Sequence, residues 1–122
     1  MANEAKVRAR QLAERRGRRS EWLAALWLML KGYRNLSLRY RTPAGEIDII
    51  ARKGSLVAFI EVKTRSSERA AVDAVSGMAH RRIRSAADIW LSRQRNPSAL
   101  SLRFDIMAMM PGRFPRHLPD AF

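Results

Sequence analysis

Apolar positions change their period several times along the chain, and each change marks an element. Residues 1–19 (MANEAKVRARQLAERRGRR) are polar and dense in Arg, with Val7 and Leu12 isolated, so this arm reads either as a frayed helix or as disordered chain. From Ser20, which can cap, Trp22, Leu23, Leu26, Trp27, Leu30 and Tyr33 recur at helical spacing, and Gly32 supplies a stop. A helix is predicted over residues 20–31. Residues 37–41 (SLRYR) alternate as a short strand does, and Thr42-Pro43-Ala44-Gly45 is turn chemistry. Residues 46–52 (EIDIIAR) and 56–64 (LVAFIEVKT) are rich in β-branched and aromatic residues and predict two strands joined by a tight hairpin. After a polar link over residues 65–71, Val72, Val75, Ala79, Ile83, Ala86, Ala87, Trp90 and Leu91 share one helical face, with Gly77 weakening the first turn. Asn96-Pro97-Ser98 ends that helix, residues 100–109 (LSLRFDIMAM) alternate as a half-buried strand, and the tail PGRFPRHLPDAF reads as irregular.

The resulting order, αβββαβ, implies an α/β domain with a mixed sheet flanked by helices. At 122 residues there is room for one core and not for two. The division expected is a basic N-terminal arm over 1–19 and a domain over 20–122 that includes an irregular tail at 111–122. No repeat or low-complexity tract interrupts it.

Charge changes the picture. Lys+Arg is 24 against 11 Asp+Glu, a formal net charge of +13. On so small a body this spreads a positive potential over much of the surface and points to a polyanion. Arg outnumbers Lys, and its planar fork grips a phosphate with two hydrogen bonds, which favours nucleic acid. The plainer alternative is a solvated basic face. Cysteine is absent, which excludes a disulfide framework, a thiol nucleophile and a Cys-based zinc site, and His80 and His117 are too few and too scattered for a His-based one. The apolar run WLAALWLML is far shorter than a membrane span, and Lys31-Gly32-Tyr33-Arg34 stands where an export cleavage site would be. No membrane association and a cytoplasmic location are expected, and a homodimer is left open.

Candidate chemistry lies in GEIDIIARKGSLVAFIEVKTR, where Glu46, Asp48, Glu61 and Lys63 interrupt strongly apolar strands. Side chains alternate along a strand, so Glu61 and Lys63 share a face, as do Glu46 and Asp48. A two-residue loop Lys53-Gly54 would pair 48 with 59 and 46 with 61. That makes Asp48 and Glu61 diagonal neighbours with Cα atoms about 7–8 Å apart; a three-residue loop without a bulge would put them on opposite faces. Two converging carboxylates beside an ammonium suit phosphodiester hydrolysis. The cation they would hold is hard and oxygen-liganded, Mg²⁺ or Mn²⁺, and Lys63 would orient water or neutralise charge on phosphorus. The structural alternative is a same-face Glu61–Lys63 pair, with Asp48 bonded to backbone.

GEIDIIA followed after a hairpin by FIEVKTR resembles the YraN-like bacterial family, whose domain is similar to PD-(D/E)XK nucleases and Holliday-junction resolvases. The resemblance extends over roughly residues 12–122 and takes in GRRSEWLAALWLMLKGYRNL, RFDIMAM and the closing DAF. It implies a single restriction-endonuclease-like domain, with Asp48, Glu61 and Lys63 as the catalytic motif, Asp48 and Glu61 as metal ligands, and Glu21 as a further candidate ligand. Without the family, Glu21 is equally a first-turn acid favoured by the helix dipole. The chain departs from the family pattern at Ser20, often Gly, and at Ala79-His80, where a Lys-Gln pair is usual. His80 then reads as an exposed helical residue, Asp105 as a structural partner of Arg103, and Trp22, Trp27 and Trp90 as core. Arg39, Arg41, Arg65, Arg81, Arg82 and Arg84 are assigned to phosphate contacts. The function expected is a Mg²⁺- or Mn²⁺-dependent endonuclease acting on structured or branched DNA. Its rivals are a non-catalytic nucleic-acid-binding adaptor and, on the basic residues beside WLAALWLML, a membrane-surface or partner-binding helix.

Overall fold

The computed structural model describes residues 2–122, with the side chains of all but Ala2, Glu14 and Arg16. A long helix α1, Ala2–Leu30, leads into three antiparallel strands, β1 (Arg34–Thr42), β2 (Gly45–Lys53) and β3 (Leu56–Thr64). Helices α2 (Glu68–Asp73) and α3 (Gly77–Ser92) then carry the chain over to β4 (Ser101–Met109), which runs parallel to β3. A short β5 (Arg116–Leu118) closes the mixed sheet, in the order β1-β2-β3-β4-β5.

The sheet divides the core in two. Ala24, Ala25 and Leu28 of α1 cover Ile49, Ala51, Ala58, Ile60 and Met107 on one face. Ile83, Ala86, Ala87 and Trp90 of α3 cover Ile47, Ile50, Val57 and Phe59 on the other. Strands buried on both faces explain why β2 and β3 read as near-continuous apolar runs. Phe59 anchors the second layer, stacked on Phe104 at 5.4 Å and edge-on to Trp90 at 5.6 Å. At the start of β2, a Cβ on Gly45 would stand 3.1 Å from Arg82 Cβ and 3.3 Å from its carbonyl oxygen, so a side chain there would push α3 back by a few tenths of an ångström.

Several expectations are corrected. The first helix does not begin at Ser20: it runs unbroken from Ala2 through the arm, where every described side chain from Asn3 to Arg15 is exposed. Met1 lies outside the described residues. Ser20 is therefore no cap, and its hydroxyl instead bonds Thr64 at 2.9 Å, tying α1 to the end of β3. The stop at Gly32 (φ +93) is as expected, with Tyr33 N–H on Leu28 C=O and Gly32 N–H on Met29 C=O closing the helix. The single second helix is two, because Ser67 and Ser76 each cap a fresh start, accepting from Ala70 N–H and Ala79 N–H. The tail is not wholly irregular. Asp105, completely buried, accepts both Arg103 Nε and Nη2, His117 Nε2 and Asp120 N–H, all within 2.9 Å, and so holds β5 against β4. Burial would raise the Asp105 carboxyl, but the hydrogen bonds from His117 and Arg103 outweigh it and leave it below the usual carboxylate range. Among the described residues no helix is long and apolar enough to cross a membrane.

Candidate active site

The hairpin between β2 and β3 decides whether the acidic residues meet. Lys53 pairs with Leu56, so the loop is Gly54-Ser55 and not Lys53-Gly54. The loop still has two residues, but the register moves by two positions, and the Asp48 and Glu61 carboxyls come within hydrogen-bonding reach of each other. Continued past its last pair, Ile49–Ile60, it sets Asp48 directly across from Glu61 and not diagonal to it. There the ladder gives way to a side chain: Val62 N–H donates to Asp48 Oδ2 at 2.8 Å.

Glu61 and Lys63 share their face as alternation requires, with Lys63 Nζ 3.3 Å from Glu61 Oε1. Both are largely covered, at 15% and 26% side-chain exposure. Burial, reinforced by the neighbouring Glu61 charge and only partly offset by Val62 N–H and Lys63, pushes the Asp48 carboxyl up to about 8. Burial also raises Glu61, against the pull of Lys63 and a hydrogen bond with Asp48. Near neutrality the pair therefore holds a proton between two carboxyls that cannot both ionise cheaply in so dry a place.

A kink brings the first helix to this point. Leu38 and Ile49 pair and pack under α1, whereas Tyr40 and Ile47, one pair further on, pack under α3. Regular strands keep positions two apart on one face. The reversal occurs at Arg39, which is left-handed at φ +55 and stands beside Asp48 in this register. Such a backbone is costly for a side chain larger than glycine and persists where its surroundings hold it. Here the hold is an ion pair, Arg39 Nε to Glu21 Oε2 at 2.6 Å, between groups 27% and 14% exposed. Glu21 thus reaches the neighbourhood of the site, and its charge helps raise both Asp48 and Glu61. Its carboxylate is engaged by Arg39, however, and among the described residues no three acidic or His side chains are grouped so as to hold a metal ion between them. The donor set that does converge is two carboxyls, which would hold a hard divalent cation on loss of their proton; Mg²⁺ commonly takes one or two carboxylates and fills its remaining positions with water and phosphate oxygens.

The assigned arginines divide. Arg18, Arg39 and Arg41 line a hollow of about 490 Å³ beside Glu21, and Arg41 lies 3.4 Å from Glu46 while remaining 73% exposed. Arg65 is exposed at the end of β3. Arg81 and Arg82 are exposed on α3, and Arg84 lies over the Phe104 ring at 4.5 Å. Arg39 is the more tightly paired, at 2.6 Å from Glu21, and the less exposed of the two that meet an acid. His80, expected to be exposed, is half-buried and stacked on Phe122 at 4.3 Å. Of the tryptophans, Trp90 is core and Trp27 is half-buried against Phe114, but Trp22 is 67% exposed. The kink at Arg39 and the Ser20–Thr64 tie were missed: they arise between distant segments and leave no local pattern.

Comparison with known proteins gives a match of residues 20–109 to the family described as uncharacterised protein family UPF0102. Among relatives, a UPF0102 protein of Rhizobium leguminosarum bv. trifolii is 61% identical over the whole of both chains. One of Agrobacterium fabrum is 57% identical, again over both whole chains. One of Mesorhizobium japonicum is 57% identical over 93% of this chain and 91% of its own.

Proposed function

The chain belongs to the UPF0102 family, and we propose that it is a metal-dependent nuclease of the PD-(D/E)XK type, with a restriction-endonuclease-like fold, hydrolysing phosphodiester bonds in structured or branched DNA. The observation that carries this reading is the meeting of Asp48, Glu61 and Lys63 at the end of two adjacent strands, with Asp48 held by Val62 N–H at 2.8 Å and Lys63 Nζ 3.3 Å from Glu61. A surface ion pair would need neither the burial nor the second carboxyl.

In this reading Asp48 and Glu61 hold Mg²⁺ or Mn²⁺. When bound, the cation supplies a Lewis acid for a phosphate oxygen and a water of lowered pKa. Val62 N–H fixes one Asp48 oxygen and so orients the carboxylate. Lys63, positioned by Glu61, presents an ammonium to the charge that grows on the phosphoryl oxygens. Arg18 and Arg41 border the hollow next to Glu21, where a nucleic-acid backbone can lie, and Arg81 and Arg82 extend the basic surface along α3. Glu21 acts through Arg39 by holding the kink that presents Asp48. That same engagement of Glu21 favours a second reading, a nucleic-acid-binding adaptor without turnover.

The two part in one experiment. Purified protein is incubated with duplex, single-stranded and four-way-junction DNA, with Mg²⁺ or Mn²⁺ and with chelator. Asp48→Ala and Lys63→Ala should abolish cleavage while leaving binding in chelator nearly intact, because neither residue contributes much attraction without the metal. Salt-sensitive binding of all three substrates without cleavage of any would establish the adaptor instead.

A further inference from the structure

We propose that the outer face of α1 is a self-association surface on which two copies of this chain pack antiparallel, Leu26 against Leu26 across a two-fold axis. The inner face of α1 buries Ala24, Ala25 and Leu28, yet its outer face leaves Trp22 67%, Leu23 50%, Leu26 53%, Met29 59% and Leu30 74% exposed. A helix segment apolar all round is stable in water when both faces are covered. Leu23 and Leu26 form a ridge between two hollows. One, about 610 Å³, lies against Leu36 and Leu38 of β1, and the other, about 450 Å³, against Met110 and Phe114. Leu36 and Phe114 add 37% and 79% exposed side chains to the same surface. At roughly 200 Å² per large side chain, the exposed fractions amount to about 800 Å², what one partner contributes to a stable interface. A ridge flanked by hollows can seat against a second copy of itself, as a two-fold contact requires.

Charge selects the antiparallel arrangement. The C-terminal end of α1 is already met by Lys53, whose Nζ donates to Lys31 C=O at 2.9 Å, so the choice rests on where the basic arms lie. With the crossing centred on Leu26, Trp22 opposes Leu30 of the partner subunit. The basic arms then project to opposite sides. A parallel crossing would lay them side by side. Each copy carries a formal charge of +13, so association should tighten as salt screens the repulsion, whereas binding to an anionic membrane or nucleic acid weakens.

Sedimentation velocity of the full chain from about 1 to 200 µM, at about 0.1 and 0.5 M salt, should show a micromolar dimer that is tighter at the higher salt. The chain has no cysteine, so the register can be read directly. Under copper–phenanthroline oxidation Leu26→Cys should cross-link to itself, and Trp22→Cys should cross-link to Leu30→Cys but not to itself. Leu26→Glu should leave a monomer with unchanged circular dichroism; if that variant fails to fold, the cysteine pairs decide alone. A monomer at every concentration, a dimer that survives Leu26→Glu in folded protein, or cross-links without the Leu26 symmetry would overturn the proposal. So would Leu26-dependent binding to phosphatidylglycerol vesicles that fades with salt and brings no self-association.

Discussion

Asp48→Asn should stabilise the protein at alkaline pH while removing its response to divalent cations. The Asp48 carboxyl titrates near its ordinary value of 3.8 when unfolded but is held at about 8 in the fold. Between those limits the folded state binds one proton more than the unfolded state, so the wild type loses stability as pH rises from about 4 to about 8. Below about 4 the carboxyl is protonated in both states, and this contribution to the pH dependence vanishes. At about 1.4 kcal/mol for each pH unit of displacement the ceiling is several kcal/mol. Because the site is only partly dry and Glu61 shares the proton, about 1–3 kcal/mol is the expected gain from asparagine. An asparagine Oδ1 can keep the bond from Val62 N–H and sheds only the charge. The corresponding rise in Tm is roughly 3–6 °C per kcal/mol for a chain of this size. Thermal unfolding of both proteins at pH 4, 6 and 8.5 should show curves that coincide in acid and separate steadily above it. Mn²⁺ at pH 8.5 should raise the wild-type Tm by binding the folded state alone, and leave Asp48→Asn nearly unmoved. Equal Tm values for the two proteins at pH 8.5, together with no wild-type response to Mn²⁺ or Mg²⁺, would refute the reasoning.

Asp105→Asn should cost about 3–5 kcal/mol in urea unfolding, since it leaves Arg103 and His117 buried without their anion. The Asp105 carboxyl is depressed in the fold, so its contribution is present above about pH 4 and lost below it; acid unfolding should therefore be steeper in wild type than in Asp105→Asn. Arg81→Glu and Arg82→Glu, on the exposed face of α3, should weaken DNA binding across sequences alike. They should also reduce the slope of log affinity against log salt by about one for each phosphate no longer neutralised, measured by fluorescence anisotropy. Arg84→Glu is a poorer probe because it also removes packing on Phe104.

The elements that local chemistry dictates were legible in the chain. Helical spacing after Ser20, the stop at Gly32 and the apolar runs of β2 and β3 each draw on residues within a turn or a pleat of one another. Period-two alternation likewise put Glu61 and Lys63 on one face, whereas the face of Asp48 hangs on whether the hairpin loop is even or odd, which the apolar pattern alone does not settle. The register itself did not follow from parity: Lys53-Gly54 and Gly54-Ser55 are both two-residue loops, and which of them turns is decided by what β2 and β3 pack against. Ser67 and Ser76 were legible as caps in principle, but a continuous apolar stripe from Val72 to Leu91 masked the break between α2 and α3. What required the tertiary structure is what joins distant segments. Glu21 meets Arg39 across 18 residues and holds a left-handed kink that local propensity disfavours. Asp105 gathers Arg103, His117 and Asp120 N–H into one buried cluster, and so makes a strand of a proline-rich tail. The outer face of α1 showed the limit most plainly, since an apolar residue advertises that it is better covered but not by what. Of the residues spaced along that helix, Trp22, Leu23, Leu26 and Leu30 stand exposed, and the sheet lies under Ala24, Ala25 and Leu28 instead, because a helix has two sides and a single sheet can cover only one.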